Sequence, residues 1–274
     1  MSNFLYGGNV HANGIRQHYL RYGGARGAGR DPVIIVPGIT SPAITWGFVG
    51  ERFGESFDTY ILDVRGRGLS EAGAALNYGL DAQAADVLAF AQALGLEQYS
   101  VVGHSMGGRI GVRAGRSKPA GLRRLVLADP PVSGPGRRPY PAKLPWYVDS
   151  MAQARQGMDA EAMRAFCPSW TDAQRQLRAE WLHTCDERAI IQSFDDFHND
   201  DIHADLSLLD AAVLLITAER GDVVLDADVK EIQRLAPGTR HHRVPAAGHM
   251  IPWDNEEGFY AAFGDFLGAP LARA

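Results

Sequence analysis

Ser105 stands between glycines in Gly103-His104-Ser105-Met106-Gly107, with a histidine far downstream in Gly248-His249 and aspartates at positions 129 and 222. These are the residue types that serine-based acyl transfer needs. A hydroxyl is a weak nucleophile until a base takes its proton, and the base needs a carboxylate to fix its tautomer and to stabilise the imidazolium that forms. Gly103-x-Ser105-x-Gly107 follows an apolar run and opens a helical pattern, the setting of a nucleophile elbow. In such a strained turn the flanking glycines allow close backbone approach. A serine that merely caps its helix would not need glycine on both sides.

Two backbone N–H groups complete the chemistry. Met106 starts the helix, where amides have no partner within the helix, and Ile39 lies in Pro37-Gly38-Ile39-Thr40-Ser41 after the first apolar run. Both are candidates for an oxyanion hole. The base is assigned to His249, in a loop between the last strand pattern and the last helix pattern. His104 is adjacent to the serine, leaves the elbow in another direction, and reads as a packing or turn-positioning residue. His241 and His242 fall on a strand and read as structural. For the acid, Asp222 fits the chain order Ser-Asp-His, whereas Asp129 follows the strand directly after the serine's helix. Either end of strand reaches the same sheet edge, and the loser has an easy role as a cap or turn residue. Asp63-Val64-Arg65-Gly66-Arg67-Gly68-Leu69-Ser70 reads as a turn whose Asp and Arg fix loops.

The elements that must carry these groups are visible as short apolar runs at Val33–Val36, Thr59–Leu62, Ser100–Val102 and Leu125–Ala128, alternating with helical patterns at Ala82–Leu94 and Arg109–Ser117. Strands apolar throughout are buried on both faces, and alternation with helices implies parallel crossovers. Residues 3–22 precede them as a hairpin turning at Asn13-Gly14. From Pro131 to about Leu209 a Pro/Gly-rich opening leads into amphipathic helical patterns without a clear buried strand. Alternation then resumes with a strand at Ala212–Thr217, a helix at Ala227–Leu235, a strand near His242–Val244 and a helix over about Asn255–Leu267. The expectation is an α/β fold of one mostly parallel sheet with an N-terminal antiparallel hairpin: residues 1–130 and 210–274 form the core, and residues 131–209 an inserted helical cap.

Composition narrows the function classes. With 46% hydrophobic and 22% charged residues over 274 positions, disorder is disfavoured and a well-packed enzyme or binding protein is expected. The net charge of −5 comes from mixed acidic and basic residues, which argues against nucleic acid as a partner; Arg21–Arg30 and Arg137-Arg138 are local basic spots only. No apolar run approaches the ~20 residues that cross a bilayer. The two cysteines, Cys167 and Cys185, are too few for a disulfide scaffold, and the opening MSNFLYGGNV lacks the order of a signal peptide, so a cytoplasmic protein is expected. The histidines of His198-Asn199-Asp200-Asp201-Ile202-His203 lack zinc-site spacing, and the elbow lacks the Lys-Ser/Thr ending of a phosphate loop. Neither metal nor nucleotide cofactor is expected. Gly23–Gly29 precedes no helical pattern.

Taken together, the elbow, the Pro-Gly-Ile-Thr loop, the Asp-x-Arg-Gly-x-Gly-x-Ser turn and the Gly-His loop resemble the α/β-hydrolase superfamily across nearly the whole chain. Within it, PGITSPAITWGFV, LDVRGRGLS, GHSMG, DPPVSGPGRR, KLPWYVDS, RAFCPSW, RAEWLHTC, FDDFH and AGHMIPWD are similar to the N-formylmaleamate deformylases of bacterial nicotinate degradation. That resemblance implies a serine hydrolase that releases formate and maleamate without a cofactor, and it implies Asp129 as the acid. The generic superfamily pattern points instead to Asp222. The substrate implied is a small carboxylate, for which Arg138, His183, His198, Thr40 and Ser41 are candidate partners and Trp146, Tyr147 and Trp181 candidate walls. The alternatives are another small-molecule hydrolase with the same triad, such as an enol-lactonase, carboxylesterase or carbon–carbon bond hydrolase, and a binding protein that keeps only the fold.

Overall fold

The computed structural model describes residues 2–24 and 31–273, so most of the basic spot at 21–30 and of the glycine segment at 23–29 lies outside the described residues. The chain begins with the hairpin: β1 (Phe4–Ala12) and β2 (Ile15–Tyr22) pair antiparallel. Their two-residue turn, Asn13 and Gly14, has φ of 51° and 74°, the left-handed pair that matches strand twist. Then come β3 (Pro32–Val36), β4 (Asp58–Leu62), β5 (Tyr99–His104), β6 (Leu122–Ala128), β7 (Ala212–Ala218) and β8 (Arg240–Val244).

The eight strands form one sheet in the order β1-β2-β4-β3-β5-β6-β7-β8. β2 runs antiparallel to β4, and from β4 to β8 all neighbours are parallel. Val33 to Val36 have no exposed surface, and β4 and β5 are buried along their whole length, as strands covered on both faces must be. The edge strand β8 is more open; His241 places Nε2 2.9 Å from Thr217 Oγ1, a contact that ties β8 to β7.

The helices are α1 (Gly47–Phe53), α2 (Leu80–Ala93), α3 (Met106–Gly115), α4 (Leu144–Arg155), α5 (Ala160–Met163), α6 (Asp172–Leu182), α7 (Glu187–Asn199), α8 (His203–Leu206), α9 (Asp226–Leu235), α10 (Ile251–Asp254) and α11 (Glu256–Ala261). The last helix expected from the sequence is split and shorter. Asn255 interrupts it by accepting the Gly258 N–H as a cap, and after Ala261 the chain continues as turns through residue 267. Among the described residues no helix is long and apolar enough to cross a membrane.

Helices α4 to α8 all fall between β6 and β7, and no strand lies among them. Buried arginines of the sheet layer hold this segment. Arg109 on α3 donates to the carbonyls of Pro131, Ser133, Asp196 and Asp200; Arg113 pairs with Asp205 at 2.6 Å; Arg67 reaches Ala189 O and Ser193 Oγ. At the carboxyl edge of the sheet the loops are locked by backbone bonds that continue the ladders. Ser105 N–H donates to Ala128 O, Asp129 N–H to Ile216 O and Arg220 N–H to Ala247 O, each at 2.8 Å.

Candidate active site

The elbow follows from its neighbours. Ser105 has φ 52° and ψ −119°, a conformation costing a non-glycine residue on the order of 1–3 kcal/mol and held only because the surroundings over-determine it. A Cβ at Gly107 would lie 1.9 Å from Val36 O, and one at Gly103 2.2 Å from Gly107 O. Both clashes are with backbone, so no side chain can move aside. Gly107→Ala is therefore expected to destabilise the protein by about 3 kcal/mol or more, with most activity lost as the turn shifts. Thermal unfolding measures it, and a melting temperature matching the unmodified protein would show that the elbow is not close-packed.

Ser105 Oγ lies 2.9 Å from His249 Nε2, and His249 Nδ1 lies 2.7 Å from Asp129 Oδ2. A carboxylate can only accept, so the Nδ1 proton points to Asp129 and the bare Nε2 accepts from the serine hydroxyl. Asp129 has no exposed surface and takes φ 47°, a left-handed backbone that aspartate tolerates better than most residues. Asp222 lies four residues past β7, is exposed, and presents its backbone carbonyl to Arg138; its side chain is not the partner of His249. Asp129 wins the contact because β6 is the strand beside β5, so its first loop residue sits next to the elbow.

His104 bonds to the loop of His249 rather than to Ser105. Its Nε2–H donates to His249 O at 2.9 Å, which leaves Nδ1 bare and without a partner among the described residues. Burial, together with the neighbouring His249, pushes its pKa down to about 3, so it stays neutral. A Cβ at Gly38 would meet that Nδ1 at 3.2 Å and Ser105 Cβ at 3.5 Å, which shows how closely the Ile39 loop approaches the elbow. Met106 opens α3, and its N–H has no partner within the helix. Arg67 fixes the facing loop by donating to Ile39 O at 3.0 Å, while Asp63 accepts from Ala43 N–H and Leu69 N–H. The Asp-x-Arg-Gly turn thus fixes the loop that carries Ile39.

A cavity of about 510 Å³ opens over Ser105 and His249. Of the residues expected to bind substrate, Thr40, Ser41, Trp146 and Tyr147 line it. The other four do not. Arg138 is occupied by Asp222 O, Val223 O and the Asp228 carboxylate; His198 faces Phe194 O on its own helix; His183 is exposed at the end of α6, and Trp181 lies half-buried beside it, away from the cavity. Tyr140 and Arg178 were not foreseen. Tyr140 OH is 3.4 Å from His249 Nε2 and 3.2 Å from Tyr147 OH, and burial beside Tyr147 raises its pKa well above the usual phenol value, so it remains a neutral donor. Arg178 donates to Thr40 O and Oγ1, both at 3.0 Å. The available signal for Arg178 was its position on the inward stripe of α6 with Arg175, Ala179 and Leu182.

A parallel sheet with an antiparallel edge, a serine on a strand-to-helix elbow and a histidine on the loop after the last strand define a hydrolase architecture. A family model for the α/β hydrolase fold matches residues 31–256, and the chain belongs to that family. It is 61% identical to N-formylmaleamate deformylase of Pseudomonas putida over 271 residues, 99% of this chain and 100% of that protein. A crystal structure of a variant of N-formylmaleamic acid deformylase from a Pseudomonas putida strain is similar with a TM-score of 0.90 and 52% identity, covering 94% of this chain and 100% of that one. An enol-lactonase of Burkholderia xenovorans shares the fold alone, at a TM-score of 0.76 and 19% identity, covering 96% and 100%.

Proposed function

We propose that the protein hydrolyses N-formylmaleamate to maleamate and formate in the degradation of nicotinate, with Ser105 as nucleophile, His249 as base and Asp129 as its orienting acid. The observation that carries the chemistry is the unbroken chain of contacts from Asp129 through His249 to Ser105 at the floor of the cavity. The substrate follows from the end-to-end similarity to the deformylase of Pseudomonas putida.

Ser105 Oγ bonds to the formyl carbon as its proton passes to His249 Nε2. The carbonyl oxygen takes the negative charge and is received by the N–H groups of Ile39 and Met106, each such donor being worth about 3 kcal/mol in the transition state. His249 returns the proton to the amide nitrogen as the C–N bond breaks, and maleamate leaves. That nitrogen lies between two carbonyls, so it departs more readily than an ordinary amide nitrogen. Water then gives a proton to His249, attacks the formyl ester and displaces Ser105 Oγ, which regains the proton. Every proton moves between groups of the chain, substrate and water, and the positioned base contributes on the order of a hundredfold or more.

Residues 131–209 act as a cap in this reading: Tyr140, Trp146, Tyr147, Cys167 and Trp170 all come from that segment and wall the cavity, with Thr40 and Ser41 opposite. The unpaired thiols of Cys167 and Cys185 fit a reducing cytoplasm. The purified protein should release formate from N-formylmaleamate, read with formate dehydrogenase, faster than it opens an enol-lactone or cleaves a simple ester. A protein that turns over the lactone or ester but yields no formate would move the assignment to those hydrolases.

A further inference from the structure

Arg178 is 3% exposed, lines the cavity and has no acidic partner among the described residues. A guanidinium carries five N–H donors, and among the described residues the oxygen acceptors of Arg178 are the two of Thr40; the Cys167 thiol is a weak further neighbour, and Nε has no partner. The other buried arginines have a carboxylate or more acceptors: Arg175 also has an unpartnered Nε, but its two terminal nitrogens donate to Trp170 O and the Asp172 carboxylate. Arg65 pairs with Asp86 and Arg113 with Asp205, while Arg67 and Arg109 each donate to several carbonyl or hydroxyl oxygens. A buried cation left short of acceptors is costly, and an anion entering the cavity would relieve that cost.

The surroundings leave the charge available. The carbon of the guanidinium lies 5.8 Å from the ring centre of Trp146 and 5.7 Å from that of Trp170. Neither of the cavity's two carboxylates pairs with Arg178: Asp254 accepts from Ser169 Oγ and Gly248 N–H, and Asp222 is exposed to water. The thiols nearby do not supply a negative charge, because burial raises Cys167 and pushes Cys185 up to about 11. Lys143 also lines the cavity but is exposed to water, where an ion pair is weak.

We infer that Arg178 is the specificity-determining residue of the cavity, seating the carboxylate end of the substrate between Trp146 and Trp170 while the scissile carbonyl lies at Ser105. The inference rests on the deformylase reading for the identity of that carboxylate. Its bond to Thr40 also links the anion seat to the loop of Ile39, so a correctly charged substrate would steady the second oxyanion amide.

The test compares N-formylmaleamate with its methyl ester. For Arg178→Gln, kcat/KM on the acid should fall on the order of 100-fold, and on the ester at least about tenfold less; Arg178→Lys, a point charge without the planar fork, should lie between. Equal losses on both substrates would mean that Arg178 only braces the Thr40 loop, and would overturn the inference, as would a carboxylate-selective loss in Lys143→Gln instead. If the unmodified protein releases no formate, the deformylase reading fails by itself; Arg178 is then judged by maleate inhibition of p-nitrophenyl ester cleavage, which Arg178→Gln should weaken and which an unaltered inhibition constant would contradict. Should Arg178→Gln not fold, a crystal structure of the Ser105→Ala protein with N-formylmaleamate decides, through whether the carboxylate oxygens lie within hydrogen-bond distance of the Arg178 guanidinium or elsewhere.

Discussion

Ser105→Ala is expected to lower kcat on N-formylmaleamate by about 10⁶-fold, the scale seen when the nucleophile of a serine triad is removed. The fold should survive, because alanine keeps the Cβ that the backbone at φ 52° already accommodates, and the glycines that permit the turn are untouched. What is lost is the hydroxyl 2.9 Å from His249 Nε2, and with it the covalent route. The Ile39 and Met106 amides and the cavity remain, so substrate should still bind and a residual rate above that in water should persist. Rapid quench followed by intact-mass analysis should detect a formyl adduct on the unmodified protein and none on the variant. Turnover by Ser105→Ala at the unmodified rate would remove the covalent mechanism altogether.

The loop–strand–helix grammar of the sheet was legible because it is local. Val33 to Val36 announce a doubly covered strand by being apolar at every position, Asn13-Gly14 announces its turn by the φ values it tolerates, and the glycines at 103 and 107 announce a backbone contact no side chain permits. Partnerships made across the fold were not legible. Arg138 looked available for a carboxylate, but the chain folds its guanidinium onto Asp222 O, Val223 O and Asp228, contacts that depend on where the segment after β7 lies. Arg178 sits in RAEWLHTC, where a charged residue on an inward helical face has meaning only once the opposing Thr40 loop is in place. His104, expected to pack or to position the turn, does pack against Trp46 and Trp253, but nothing local announces its bond to the backbone of His249, 145 residues away.

The choice between Asp129 and Asp222 shows the same limit and offers the second large effect. Asp129→Asn is expected to lower kcat about 10⁴-fold, whereas Asp222→Asn should stay within a few-fold of the unmodified protein. At position 129 the substitution is nearly isosteric, and asparagine also tolerates the left-handed φ of 47°, so the backbone should hold. The change is in hydrogen-bond polarity. An asparagine amide turned toward His249 offers N–H where Asp129 Oδ2 accepted, at 2.7 Å, and that favours the tautomer with its proton on Nε2, facing Ser105. Such an imidazole cannot take the serine proton, and the imidazolium that forms later has lost its carboxylate. Asp222, exposed and four residues past β7, has no imidazole to orient, so its amide variant changes the charge at the cavity wall and little else. Steady-state kcat on the two variants, with thermal unfolding to show that both are folded, separates the candidates. A deep loss in Asp222→Asn beside near-normal turnover in Asp129→Asn would mean that His249 turns to the other carboxylate during catalysis.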